Sequence, residues 1–262
     1  MQFENALKAL ERGQKYLVSG QHGAADELVI AALEQFPEDG GLLQLQGMIW
    51  HAMRRYASAR QAFELASLLV PLSLAAQLTL ADTYRRCQQR SAAQTILSYL
   101  ATRNDVPTSL LPPLTAGLGA IGEYQLALET CREASRREPD SDEALFGMAY
   151  YMNKLDYPVE CVLPLLRTAV SLDPACRMYR MGLATTCVRA RLWNEAYDLF
   201  CEVSPEQVKC ASCLNVMIRV FDRIGDHPRR DGCLSRVLEL SNPAMEQVVD
   251  SAASSESLRE TE

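Results

Sequence analysis

Apolar side chains along this chain recur at helical intervals, in runs that come in pairs. In residues 40–71, GGLLQLQGMIWHAMRRYASARQAFELASLLVP, the residues Leu42, Leu45, Ile49 and Trp50 share one helical face. After a polar break, Tyr56, Ala59, Phe63, Ala66 and Leu69 do so again. The spacing predicts two amphipathic helices joined by a turn, with Pro71 ending the second by withdrawing a backbone donor. The pattern repeats at an interval of 34 residues, in the columns Ala25, Ala59, Ala93 and Ala127, Gly13 and Gly47, and Tyr16, Trp50 and Tyr84. Pro37, Pro71 and Pro139 hold the same register with Asp105 in the gap, and Val29, Phe63, Leu97 and Cys131 make a further column. After a one-residue insertion near Tyr157 the period resumes in Ala169, Pro174, Ala196 and Phe200.

The small residues have a steric task. Gly47 and Ala59 are expected where two antiparallel helices cross, because a larger side chain would push the axes beyond a packing distance of roughly 8–10 Å. Tyr56 and Phe63 are expected to fill the space beside that contact. These columns resemble the tetratricopeptide repeat, with its W-x2-L-G-x2-Y, A-x3-F and A…P pattern. Residues 40–73 carry the resemblance best, in Gly47, Trp50, Ala59, Phe63, Ala66 and Pro71. It implies an all-α, right-handed superhelical solenoid of antiparallel helix pairs. The helical-repeat domain would occupy residues 1–243, in seven units at about 6–39, 40–73, 74–107, 108–141, 142–176, 177–210 and 211–243. The fourth unit is irregular, since Pro112 and Pro113 interrupt or delay its first helix. In the seventh, Arg230 stands at the small-residue position and Pro228 opens the second helix, so altered packing is expected there. Beyond it, residues 244–252 read as a capping helix, which a solenoid needs over its last apolar face. The polar, acidic remainder to residue 262 reads as disordered.

One competing motif needs to be weighed against this frame. Gly117, Gly119 and Gly122 have the G-x-G-x-x-G spacing of a dinucleotide-binding turn, and Glu138 and Asp140 follow at about the right distance. The preceding segment SLLPPLTA makes a poor strand, and no second strand follows. Gly122 instead shares its register with Gly20 and Gly225, in the turn between the helices of a unit, where a strained backbone favours glycine.

Composition narrows the function. A net charge of −7 argues against general nucleic-acid binding, which needs surplus Lys and Arg to neutralise phosphates. No apolar run approaches the roughly 18–20 residues of a membrane span, and the charged N-terminal segment does not read as an export signal. Nine cysteines, an odd number within helical patterns, read as free thiols in a reducing compartment, so a cytoplasmic location is expected.

Chemistry-bearing clusters are few. Cys210, Cys213, His227 and Cys233 have a linear spacing like that of a zinc site. A helix over 211–224 would place His227 about 20 Å from the cysteine pair, too far for one ion. Cys176, Cys201, Cys210 and Cys213 all fall at one edge of the predicted solenoid, where a thiolate cluster would bind metal or oxidise; packing as small side chains is the alternative. The three histidines lie in different units, and no catalytic or phosphate-loop motif occurs. The expectation is a non-enzyme without a cofactor.

The resemblance implies a concave wall made by the first helix of each unit. Register assigns to that wall His51, Arg85, Arg86, Phe146, Tyr150, Asn153, Lys154, Arg189, Asn215, Arg219 and Arg223, with Asp82 and the methionines Met48, Met178 and Met181 among them. Such a basic and apolar surface suits a protein or peptide segment bearing carboxylates. The Lys and Asn clamp by which some members of the family hold a C-terminal carboxylate is not matched, since those places offer Leu10, Gln14, Leu45 and Leu78. Three functions therefore stand as expectations: a scaffold or adaptor for an acidic peptide, a secretion-type chaperone shielding apolar segments, and a cysteine-cluster metal or redox protein.

Overall fold

The computed structural model describes residues 2–241, with side chains from residue 5 onward. The expected capping helix and tail at 244–262 lie outside the described residues. Those described fall into two compact units that divide after Pro139. The first holds four helix pairs: α1 (Gln2–Val18) with α2 (His22–Gln35), α3 (Gly40–Ala52) with α4 (Tyr56–Leu69), α5 (Leu74–Arg86) with α6 (Arg90–Ala101), and α7 (Leu111–Ile121) with α8 (Tyr124–Arg137). The second holds three: α9 (Asp142–Lys154) with α10 (Val159–Leu172), α11 (Arg177–Arg189) with α12 (Trp193–Cys201), and α13 (Ala211–Ile224) with α14 (His227–Ser241).

Several first helices start on a side-chain cap. Asp39, Ser73 and Ser141 accept from the backbone N–H of Leu42, Ala76 and Ala144 at 2.9, 3.3 and 3.2 Å. This satisfies donors that have no partner within the helix. Every turn inside a pair uses one left-handed residue: Gly20, Arg54, Gln88, Gly122, Asp156, Arg191 and Gly225, at φ between 56° and 87°. The residue that follows donates back across the turn, as from Arg55 to Trp50 at 2.8 Å and from Glu123 to Leu118 at 3.0 Å. These bonds satisfy the last carbonyls of the first helix and aim the chain back along it. Gly122 is such a residue, at φ 84° after a helix and not after a strand, which removes the dinucleotide reading. The extra residue near Tyr157 lies in its turn, because α10 begins three residues after Asp156 where each other second helix begins two after its left-handed residue.

The repeat columns are the core. Ala25, Ala59, Ala93 and Ala127 are fully buried, as are Val29 and Phe63, with Leu97 and Cys131 nearly so. Gly47 meets Phe63 face on: a Cβ there would stand 2.8 Å from the ring. Gly13 makes the same kind of room for Leu45. Pro112 and Pro113 delay α7: a 3-10 turn over Thr108–Leu110 precedes it, and both prolines sit in its first turn, where a missing N–H costs little. In the last pair Arg230 is drawn off the small-residue position by Asp222 and Asp231, at 3.0 and 2.9 Å. The helix turns accordingly, so that Cys233 is buried while Leu234, at the column of Phe63 and Phe200, is exposed.

Candidate functional site

In the first unit the first helices α3, α5 and α7 lie side by side and present one face. That face holds a pocket of about 400 Å³. Its wall on α5 is made by Ala75, Leu78 and Thr79, and its wall on α7 by Pro113, Ala116, Gly117 and Ala120, with Leu110 at the start of α7. The hollow exists because α7 carries small residues where it faces α5. Gly117 also lets α7 approach Leu97 of α6, whose side chain a Cβ would meet at 3.0 Å. The sequence reading did not single out this apolar lining, although Ala116 and Ala120 at i, i+4 spacing were its visible trace.

One end of the pocket is polar. His51 Nε2 and Asp82 Oδ2 are 2.9 Å apart, and Arg85 Nε donates to Asp82 Oδ1 at 2.9 Å. Arg86 reaches the same carboxylate at 3.5 Å and lies over the Tyr56 ring, which His51 also meets edge-on. Burial alone would raise the Asp82 pKa, but the His51 and Arg85 hydrogen bonds outweigh it and hold the carboxyl below the usual range. His51, Arg85 and Arg86 come together around the one Asp82 carboxylate, which leaves the end with a net positive charge.

In the second unit the predicted residues separate into roles. Phe146 is a packing residue, stacked on Tyr179 with centroids 4.8 Å apart and seated where Gly182 leaves room. It stays partly exposed. Asn153 joins α9 to α11 by donating to Thr186 Oγ1 at 3.2 Å and accepting from Arg189. Lys154 lies over the exposed Tyr150 ring, 5.5 Å from its centroid. Arg223 stacks on Trp193 at 4.5 Å, while Asn215 and Arg219 are exposed along the same face of α13. Met178 is exposed beside this set, and Met181 is half-buried.

The four-thiol cluster is not assembled: among the described residues no three of His, Cys, Asp and Glu converge as a metal site. Cys176 stands at the head of α11, Cys201 interacts with Tyr197, and only Cys210 and Cys213 share one helix turn. The zinc-like set fails for the reason of length, since α13 runs from Ala211 to Ile224 between its two ends. No helix among the described residues is long and apolar enough to cross a membrane.

No family model matches the sequence, and no curated protein matches it. Solved structures resemble it in fold. A tetratricopeptide repeat protein from Parabacteroides merdae is 14% identical with a TM-score of 0.66, over 90% of this chain and 93% of that one. The C-terminal part of a TPR repeat-containing protein from Cytophaga hutchinsonii is 9% identical with a TM-score of 0.64, over 92% and 98%. YrrB, described as a TPR protein with an unusual peptide-binding site, is 16% identical with a TM-score of 0.55, over 71% of this chain and 92% of its own. Helix pairs in register, small-residue columns at each crossing and a left-handed residue in every turn agree with these likenesses: the chain is a tetratricopeptide-repeat protein in fold.

Proposed function

We propose that this protein is a non-enzymatic interaction module, a scaffold or adaptor whose first unit receives a peptide segment of a partner protein. The observation that carries the reading is the pocket between α5 and α7, apolar along its walls and closed at one end by His51, Asp82 and Arg85, with Arg86 on the same carboxylate beyond the lining. An apolar side chain would enter between Leu78 and Ala116, and a neighbouring carboxylate or backbone carbonyl would meet Arg86, the more exposed of the two arginines. The peptide-binding site described for YrrB supports the reading by likeness of fold.

Burying one medium apolar side chain contributes about 1.5–3 kcal/mol, or about ten- to hundredfold in affinity. A library of displayed peptides selected on the full chain should therefore yield sequences with an apolar anchor close to an acidic residue. Ala116→Phe, which fills the hollow from an exposed position, should weaken the selected peptides by about that factor and leave the far-UV circular dichroism unchanged. Equal binding by the folded Ala116→Phe protein would refute the site.

A second reading, a chaperone that shields apolar segments, is favoured by the exposed Tyr150 and Met178 of the second unit. It requires that the chain suppress aggregation of an apolar client, and that Tyr150→Ser with Met178→Ser lose this effect.

A further inference from the structure

The segment Lys209-Cys210-Ala211-Ser212-Cys213 is not used by the peptide reading, and its fold position gives it a chemistry of its own. Cys210 holds the N-cap position of α13, its side chain free of any cap hydrogen bond, and Cys213 completes the first turn. At helical rise and radius, residues three apart have Cα atoms about 5 Å from one another. A disulfide needs about 4.4–6.8 Å, so the turn can be bridged without unwinding. Cys210 Sγ is 2.9 Å from Ser212 Oγ, on the same turn as Cys213. The two cysteines are also unequal. Cys210 is exposed, whereas Cys213 is half-buried.

The pair is placed as a reacting sulfur with a second sulfur behind it. The Ser212 hydroxyl, the Cys213 amide and thiol and the Ser212 amide all stabilise the Cys210 thiolate, bringing its pKa down to about 7. The helix N-terminus acts in the same direction. Burial, together with the hydrogen bond and charge of Cys210, pushes Cys213 up to about 11, so that it stays protonated until it is called on. Two sulfurs, with no third ligand among the described residues, suit a reversible covalent bond better than a tetrahedral ion.

We propose that Cys210 and Cys213 form a thiol–disulfide exchange site at the head of α13, with Cys210 attacking and Cys213 resolving, whose co-substrate is a small-molecule disulfide of the glutathione type. In the first step the Cys210 thiolate attacks one sulfur of the disulfide. A Cys210–glutathione bond forms, the S–S bond of the co-substrate breaks, and one glutathione thiolate leaves and takes up a proton. In the second step Cys213 loses its proton as its sulfur attacks Cys210 Sγ. The mixed disulfide breaks and a second glutathione thiol is released. The protein dithiol has lost two electrons and two protons, and one disulfide has become two thiols.

Trypsin isolates the site, because cleavage after Lys209 and Arg219 yields a peptide of residues 210–219 that contains both cysteines and no others. The full-length chain is equilibrated with mixtures of reduced and oxidised glutathione, alkylated, digested and weighed. The expected wild-type product is peptide 210–219 with an internal disulfide, formed reversibly as the mixture becomes oxidising. Cys213→Ser should instead accumulate the glutathione adduct on Cys210, since nothing resolves it. A stable adduct on the wild-type peptide would overturn the resolving role of Cys213. A peptide that stays reduced while that of exposed Cys161 is modified would overturn the site as a whole.

A rate measurement on the wild type needs no variant. At neutral pH a thiol at about 7 is half ionised, against about 3% for a free cysteine near about 8.5, but its lower basicity costs about fivefold in nucleophilicity. Iodoacetamide should therefore label Cys210 about threefold faster than an unperturbed exposed thiol at neutral pH, with a rate that levels off above about pH 8. A rate that goes on rising as for an ordinary thiol would overturn its assignment as the attacking sulfur.

Discussion

Gly20→Ala and Arg54→Gly should move the stability of the first unit in opposite directions. Both residues hold the left-handed position of an intra-pair turn, at φ 76° and 61°. An alanine Cβ at Gly20 would have no neighbour within 4 Å, so the substitution tests backbone conformation and nothing else. Holding an L-residue in this region costs about 1–2 kcal/mol, and glycine gives back about 0.4–1 kcal/mol through the freedom of its unfolded chain. The net expectation is a loss of about 1 kcal/mol for Gly20→Ala and a gain of about 1 kcal/mol for Arg54→Gly, whose side chain is exposed. Trp50 and Trp193 are the two tryptophans of the chain, one in each compact unit. In a Trp193→Phe background, Trp50 is the sole tryptophan, so its fluorescence during urea unfolding reports from the first unit. With a urea slope of about 1–3 kcal/mol per molar, the midpoint should shift by about 0.5 M down in one variant and up in the other. Shifts of the same sign, or a destabilised Arg54→Gly, would refute the argument that the turn needs a left-handed residue and tolerates arginine at a cost.

The same reporter tests the core. Gly47→Ala adds a Cβ 2.8 Å from the Phe63 ring; overpacking of about 1–3 kcal/mol should exceed the gain of about 1 kcal/mol in helix propensity, and Phe63→Leu should remove most of the penalty in a double-mutant cycle. Asp26 is buried and accepts from Trp50 Nε1 at 2.8 Å, so Asp26→Ala should cost about 1–3 kcal/mol and shift the Trp50 emission, while Asp26→Asn keeps an acceptor and costs less. Asp82 has a depressed pKa, so its contribution is fully present above the unfolded carboxyl value of about 3.9 and is lost as pH falls through its lower folded value. The stability difference between wild type and Asp82→Asn should therefore be constant near neutrality and shrink below about pH 4, and a difference that stayed level into acid would refute the role given to that carboxylate.

Local chemistry decided much of this molecule. The period of 34 residues could be read because each helix pair solves the same packing problem with the same residue sizes, and Ala25, Ala59, Ala93 and Ala127 are buried where the columns placed them. Gly20, Gly122 and Gly225 could be read as turns because only glycine adopts positive φ without strain. Arg54, Gln88, Asp156 and Arg191 take the same conformation with nothing in their side chains to announce it; their place in the period was the sole clue. The faces of the helices were equally legible, since register alone fixes which residues share a face.

What register does not fix is who stands opposite. Phe146 has an inward-facing position like that of Tyr150, yet Gly182, on the next first helix, leaves room for its ring, which packs against Tyr179 and is half-buried. The link of Arg85 and Arg86 to Asp82 is local, at three and four residues, but His51 reaches that carboxylate from 31 residues away, and only the packing of α3 on α5 brings it there. The pocket belongs to the same class, an absence of side chains between α5 and α7 that no single residue states. The four-thiol cluster is not assembled because cysteines near one edge in register still end on separate helix termini, whereas Cys210 and Cys213 share one turn. Sequence periodicity determined the helix pairs, their turns and their buried faces, because those depend on interactions within a turn or two of chain. The tertiary structure decided which side chains share a carboxylate, which aromatic packs between helices and where a hollow remains, because those depend on the distance and rotation between helices that the period leaves free.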